Sequence, residues 1–329
     1  MPRSTEAPVV PIIGGGPAGM SCALWLHNYG LYPIIIEKES ALGGMARMSP
    51  YPNQWLLGQR RKTARENAAE FAAHIRGLGI ETWLGTTPHR LHRENDERWR
   101  LDASGEAAAR SLLGPAIVIA TGTRFAGEEW VDGVKNARRM AAAGRLHLGA
   151  SAVGEPGADL GSHVAVIGGG DNAFDVSRML AEKGVRVSVI MRSKSPRAQP
   201  LLVQRLHPYQ ASGLVQVMPG RTIEALDDAG SRVSVRLNGG GEIEADHVVL
   251  LFGYRPNTNE TWLAELGLAT DARGYLVIDG NMETSCRGAF AAGDVANPAH
   301  PCIATALASG AIAARQIAKR LACNDAATR

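Results

Sequence analysis

Two glycine-rich turns, Gly14-Gly15-Gly16-Pro17-Ala18-Gly19 and Gly168-Gly169-Gly170-Asp171-Asn172-Ala173, each lie between an apolar run of strand length and a run with helical spacing. A strand, a tight glycine turn and a helix open a βαβ unit, whose helix N-terminus offers free N–H groups and partial positive charge to a pyrophosphate. Gly14 permits the tight turn, Gly16 lets the backbone approach a phosphate, and Gly19 allows the helix to lie close on the strand; Gly168, Gly170 and Ala173 repeat the pattern. The competing reading is a tight turn that holds nothing. Two turns in the same context point instead to two nucleotide cofactors, for which transfer of electrons from a nicotinamide to a flavin is the commonest reason.

Around the first turn, Val9 to Ile13 reads as a strand, Met20 to Tyr29 as a helix and Ile34 to Ile36 as a second strand ending on Glu37. Glu37 follows the first glycine by about 20 residues, where an acid that accepts from a ribose hydroxyl is expected. Pro11 is discordant in a central strand because it lacks a ladder donor. Asn67 to Leu78 reads as an amphipathic helix, Trp99 to Leu101 as part of a β-rich excursion, and Ala116 to Gly122 as a buried strand and turn. Thr123 to Ser162 reads as a junction. The second unit takes a strand at Val164 to Ile167, a helix from about Asn172 to Glu182, and strands at Val185 to Ile190 and Val248 to Gly253. Gly288 to Val295 and an apolar helix from Ile303 to Leu321 then complete the chain. The expected class is α/β: two Rossmann-like, three-layer ββα dinucleotide-binding domains, with the second (124–248) inserted into the first (1–123 and 249–329).

The second βαβ strand ends at Met191 without an acid and is followed by Arg192, Lys194 and Arg197. Guanidinium groups there pair with a 2′-phosphate, which favours NADPH over NADH; simple solvation of surface arginines is the alternative. Length permits two domains, and a net charge of +3 on 329 residues argues against nucleic acid as the main partner. Neither a signal-peptide core nor a stretch of spanning length is apparent, so a cytoplasmic protein is expected. Cys22, Cys286, Cys302 and Cys323 match no metal or disulfide spacing, and the histidines form no ligand pattern, so no metal is expected. Two basic runs, Arg60-Arg61-Lys62 with Arg65, and Lys135, Arg138, Arg139 with Arg145, are either a patch that steers an acidic electron carrier or solvated faces. Trp55 and Trp130 either shield a flavin or pack in the core.

The two fingerprints, Ala120-Thr121-Gly122, and Gly293-Asp294 followed by Ile303-Ala304-Thr305-Ala306 make the chain similar to the low-molecular-weight thioredoxin reductase group within the pyridine nucleotide-disulfide oxidoreductase superfamily. The resemblance runs from about Val9 to Leu321 and implies a homodimer with FAD in the first unit and NADPH in the second. By that resemblance FAD contacts Gly14, Gly16, Pro17, Ala18, Gly19, Glu37, Gly44, Thr121, Gly122, Gly293, Asp294, Ile303 and Ala304, and NADPH contacts Gly168, Gly170, Asn172, Ala173, Arg192 and Arg197. The helix at Ile303 would direct its N-terminus to the flavin pyrimidine edge.

Two departures matter. Ser151-Ala152-Val153-Gly154 stands where that group has Cys-x-x-Cys, which removes thiol-disulfide relay to thioredoxin. The paired arginines of its NADPH loop are reduced to Arg192-Ser193. Cys302, just before the flavin-facing helix, is a candidate redox thiol or a small buried filler. The expected activity is hydride transfer from NADPH to FAD and onward to an acceptor, first a ferredoxin or flavodoxin. A small molecule or low-molecular-weight disulfide is the second reading, and a non-catalytic flavin-binding redox sensor the third.

Overall fold

The computed structural model describes residues 7–53, 55–59, 61–95, 97–105, 109–154, 159–297 and 299–327. Its chain divides into two compact units, Met1–Arg124 with Arg255–Arg329, and Phe125–Tyr254. The second unit therefore runs six residues past a crossing placed at 248/249. The reason is the strand His247–Leu250, which pairs with His163–Ile167 and belongs wholly to the second sheet.

The first unit holds a five-stranded parallel sheet in the order Ala289–Ala291, Ile117–Ile119, Val9–Ile13, Tyr32–Ile36, Glu81–Trp83. Both faces are covered, as a parallel sheet requires, and alternate side chains part to opposite sides. Ile12, Ile35, Val118 and Phe290 join the helices Pro17–Asn28, Ala64–Gly77 and Ile303–Ala327 in one cluster. Ile13, Ile34, Ile36, Ile117 and Ile119 meet the three-stranded antiparallel sheet Thr86–Arg93, Trp99–Gly105, Ala109–Gly114 through Leu91, Trp99, Leu101 and Leu112 in another.

Pro11 fits because of its parity. Tyr32 N–H donates to Pro8 O (3.0 Å) and Gly14 N–H to Ile36 O (2.8 Å), whereas Ala120 N–H donates to Ile13 O (2.7 Å). Odd positions thus face Ile117–Ile119, a ladder that begins only at Ile12. The missing N–H falls before any partner, beside Gly114, where a Cβ would lie 2.8 Å from Pro11 Cδ.

The second unit repeats the plan. Its parallel sheet runs Val215–Pro219, Arg186–Met191, His163–Ile167, His247–Leu250, Leu146–Leu148, and a three-stranded antiparallel sheet, Ile223–Ala229, Arg232–Leu237, Glu242–Ala245, packs on it through Leu226, Val233 and Val235. The helix Asp171–Glu182 buries Ala173, Phe174, Val176, Leu180 and Ala181. The stretch read as a junction is folded: Glu128–Gly133 and Ala137–Ala142 are helices, and Leu146–Leu148 is the edge strand. Among the described residues no helix is long and apolar enough to cross a membrane.

Candidate functional site

At the carboxyl ends of the first sheet's strands, Gly14, Gly16 and Gly19 of the first turn prove unequal. A Cβ on Gly14 would lie 2.2 Å from Ala120 O and one on Gly19 2.0 Å from Gly14 O, so both are demanded by backbone packing. Gly16 has an ordinary φ of −74°, and the one neighbour of a Cβ there is Gly44 Cα at 4.0 Å. Nothing in the protein asks for glycine at 16; the open space in front of it does. Pro17 and Ala18 begin the helix behind that opening, which leaves its first N–H groups directed outward.

The other expected residues of this unit gather here. Glu37 is buried at the end of its strand, where Oε2 accepts from Gly15 N–H (2.7 Å) and Oε1 from Glu39 N–H (2.9 Å), leaving lone pairs for a hydroxyl. Gly44 opens the 3-10 turn Gly44–Met48, which lies over the glycine turn: a Cβ on Gly44 would stand 3.1 Å from Gly16 Cα. A Cβ on Gly293 would stand 2.7 Å from Ala18 Cβ, and Gly293 N–H donates to Ser309 Oγ (2.8 Å). Thr121 and Gly122 brace the chain, with Thr121 Oγ1 donating to Asn257 O (2.9 Å) and Asn257 N–H to Gly122 O (3.0 Å). Ile303 packs on Ala46, Ala64 and Ala68, and Ala304 is exposed beside it.

Asp294 is the informative member. Its Oδ1 is buried with no partner among the described residues, and burial pushes its carboxyl up to about 6. An orphaned buried acceptor next to an open glycine cradle suits a hydroxyl-bearing phosphate ligand, the chemistry of a dinucleotide's sugar and pyrophosphate. Asn67 is a residue that sequence reasoning missed: it is fully buried, and among the described residues neither amide atom has a partner. A lone asparagine among helix-forming alanines gave no signal.

Cys302 immediately precedes the closing helix, half-buried, with Sγ 3.4 Å from Thr305 Oγ1. Cys22 is core, its thiol raised by burial. Trp55 belongs to no core, being 79% exposed, whereas Trp130 packs edge-on against Phe252 at 5.9 Å.

In the second unit Gly168 mirrors Gly14, with a would-be Cβ 2.5 Å from Leu251 O, and Gly170 mirrors Gly16, with φ −99° and nothing within 4 Å. Ala173 is fully buried at the third small position. Arg197 N–H donates to Gly169 O (2.7 Å), and the Asp171 carboxylate accepts from Gln199 N–H (2.8 Å) and Nε2 (2.9 Å). These bonds tie the loop bearing Arg192 and Arg197 to the helix start. Both arginines are exposed, and no ion pair among the described residues engages them. Asn172 Nδ2 donates to Tyr254 Oη (3.1 Å).

The arginines of the second basic run are engaged: Arg138 pairs with Asp132, Arg139 with Asp228 (3.1 Å), and Arg145 donates to Ser231 O and Asp246 O. Of the first run, Arg60 lies outside the described residues, Lys62 pairs with Glu70, Arg65 Nε donates to Arg47 O (2.9 Å), and Arg61 is exposed.

The profile of the pyridine nucleotide-disulphide oxidoreductase family matches residues 8–317. A ferredoxin–NADP reductase of Ignicoccus hospitalis is 30% identical over 304 residues, covering 92% of this chain and 94% of that protein. A ferredoxin–NADP reductase of Limosilactobacillus fermentum is 29% identical, covering 87% and 84%. The crystal structure of Lactococcus lactis thioredoxin reductase superposes with a TM-score of 0.79 at 24% identity, covering 95% of this chain and 98% of that one.

Proposed function

The chain belongs to the pyridine nucleotide-disulphide oxidoreductase family, and from that membership we propose an FAD-dependent NADPH oxidoreductase that delivers electrons to a small ferredoxin- or flavodoxin-type carrier. The observation that carries the two-cofactor reading is the pair of open glycines: Gly16 and Gly170 are free of protein constraint, while their neighbours Gly14, Gly19 and Gly168 are not. Bound flavin would supply a group that accepts hydride from reduced nicotinamide and releases electrons singly.

The residues divide the rest of the task. The helix N–H groups behind Gly16 hold a pyrophosphate, Glu37 accepts from a ribose hydroxyl, and Asp294 accepts from the sugar-alcohol chain. The N-terminus of Ile303–Ala327 would offer partial positive charge to the bound flavin. In the second unit Gly170 opens the phosphate cradle, and Arg192 and Arg197 pair with the 2′-phosphate. A protein carrier as acceptor is supported by the full-length similarity to ferredoxin–NADP reductases, and thioredoxin is disfavoured because no two cysteines are spaced as Cys-x-x-Cys.

Anaerobic mixing with NADPH should bleach the flavin absorbance, and a ferredoxin or flavodoxin should restore it. Recovery with a small disulfide but with no carrier would overturn the acceptor. Arg197→Ala should weaken NADPH about tenfold or more and leave NADH nearly unchanged, since a charge-assisted contact contributes roughly 1.5 to 3 kcal/mol. Equal losses for both nucleotides would mean that the arginine only holds the loop.

A further inference from the structure

One stretch of the first unit remains unused by the cofactor reading. Residues 45–65 contain five cations, Arg47, Arg60, Arg61, Lys62 and Arg65, and no Asp or Glu. The same stretch exposes Met48, Trp55 and Leu57, the last completely. Large apolar side chains in water, with the exposed cation Arg61 in the same loop, mark a surface shaped for a partner, since a scattered single exposure needs no explanation but several in one loop do.

The loop is built to hold them out. Its base is closed by Asn53 N–H donating to Lys62 O (2.9 Å) and Ala64 N–H to Tyr51 O (3.1 Å), with Pro52 and Thr63 bridged across. Trp55 N–H turns onto Asn53 Oδ1 (3.2 Å) and Gln59 N–H onto Leu56 O (3.1 Å). Lys62 and Arg65 are held by Glu70 and by Arg47 O, and Arg61 stays exposed. At one end the loop grows from Gly44–Met48, which covers Gly16; at the other it enters the helix whose first turn packs on Ile303. Both ends are thus anchored on residues that frame the proposed flavin site.

We propose that Met48, Trp55, Leu57 and Arg61 mark the docking surface for an acidic electron-carrier protein, with Trp55 and Leu57 as its apolar centre and Arg61 on its charged rim. The inference rests on the carrier reading under "Proposed function". Charge complementarity selects the partner: a cationic rim draws an anionic protein by steering, and the tryptophan supplies the buried anchor that such interfaces use. A second copy of the chain would bring like charges face to face, which disfavours self-association here.

The test uses the flavin-loaded protein, a Trp55→Ser/Leu57→Ser double variant and Arg61→Glu, with NADPH-driven reduction of ferredoxin measured beside that of ferricyanide. The double variant should raise the KM for ferredoxin about tenfold or more. Arg61→Glu should slow association and flatten its dependence on ionic strength. Ferricyanide reduction should stay within about twofold in both, because no carrier interface is needed. Ferredoxin kinetics unchanged in both variants, beside an active wild type, would overturn the docking surface alone. A wild type that reduces ferricyanide and no carrier would overturn the acceptor reading and this surface with it. Altered sedimentation of the double variant with unaltered carrier kinetics would mark a self-association surface instead.

Discussion

Asp294 stores an electrostatic cost that a cofactor would relieve. Its carboxyl sits near 6 because burial penalises the charged form, so the folded state binds the proton more tightly than the unfolded one. Stability of the flavin-free protein should therefore fall as pH rises from about 4 to about 6, by roughly 3 kcal/mol. Asp294→Asn removes that cost: thermal unfolding of the stripped variant should occur at higher temperature than wild type at pH 8 and show no gain near pH 4, while FAD affinity drops. Absence of the gain at pH 8 would mean that solvent reaches the carboxylate. The glycines predict a second contrast. Gly16→Val should keep the fold and lose FAD, whereas Gly19→Ala, facing Gly14 O, should destabilise by about 2 kcal/mol or more; chemical unfolding with flavin titration separates the two. Sequence separated the tight-turn role of Gly14 from the phosphate approach at Gly16, yet the contacts that enforce the difference were not legible, because they involve Ala120 and Gly44, which come from distant segments.

Elements of regular periodicity were legible, and short ones were not. The strand Val9–Ile13 and the helix Asp171–Glu182 announce themselves by apolar spacing, but Leu146–Leu148 carries His147 at its centre and owes its place to Val248–Leu250 beside it. A helix start at Thr63 was readable in principle: Thr63 and Glu66 form a capping box, with Thr63 N–H donating to Glu66 Oε2 (2.6 Å) and Glu66 N–H to Thr63 Oγ1 (3.2 Å). The apolar pattern alone put the start three residues late. Pairing of Leu146–Leu148 with its neighbour brings His147 Nε2 within 3.0 Å of His247 Nδ1, and burial, with the neighbouring imidazole at His147 and Arg145 at His247, lowers both pKa values below the ordinary 6.5. Such groups are protonated more readily when unfolded, so their contribution is present above that value and lost as pH falls through it. The second unit should lose stability on acidification below about pH 6.5, and His147→Gln should blunt the loss. An unchanged pH profile of denaturant unfolding would exclude the pair as its source.

At the scale of the molecule, insertion makes one unit contiguous and the other split. Ala126 N–H donates to Gly253 O (2.9 Å), so the two ends of the inserted unit meet within a hydrogen bond. Residues 125–254, produced alone, should fold cooperatively and bind NADPH in preference to NADH by calorimetry. A molten spectrum or equal affinities would show that the unit depends on the rest of the chain. The split has a consequence during synthesis. When the first 124 residues have left the ribosome, the strand Ile117–Ile119 still lacks its outer neighbour Ala289–Ala291, and the opening helix lacks Gly310, whose missing Cβ lets the closing helix approach Ala18 O. The inserted unit can fold completely while that edge waits, so the interval between the emergence of residue 124 and that of Ala289–Ala291 is when the nascent chain most needs a chaperone.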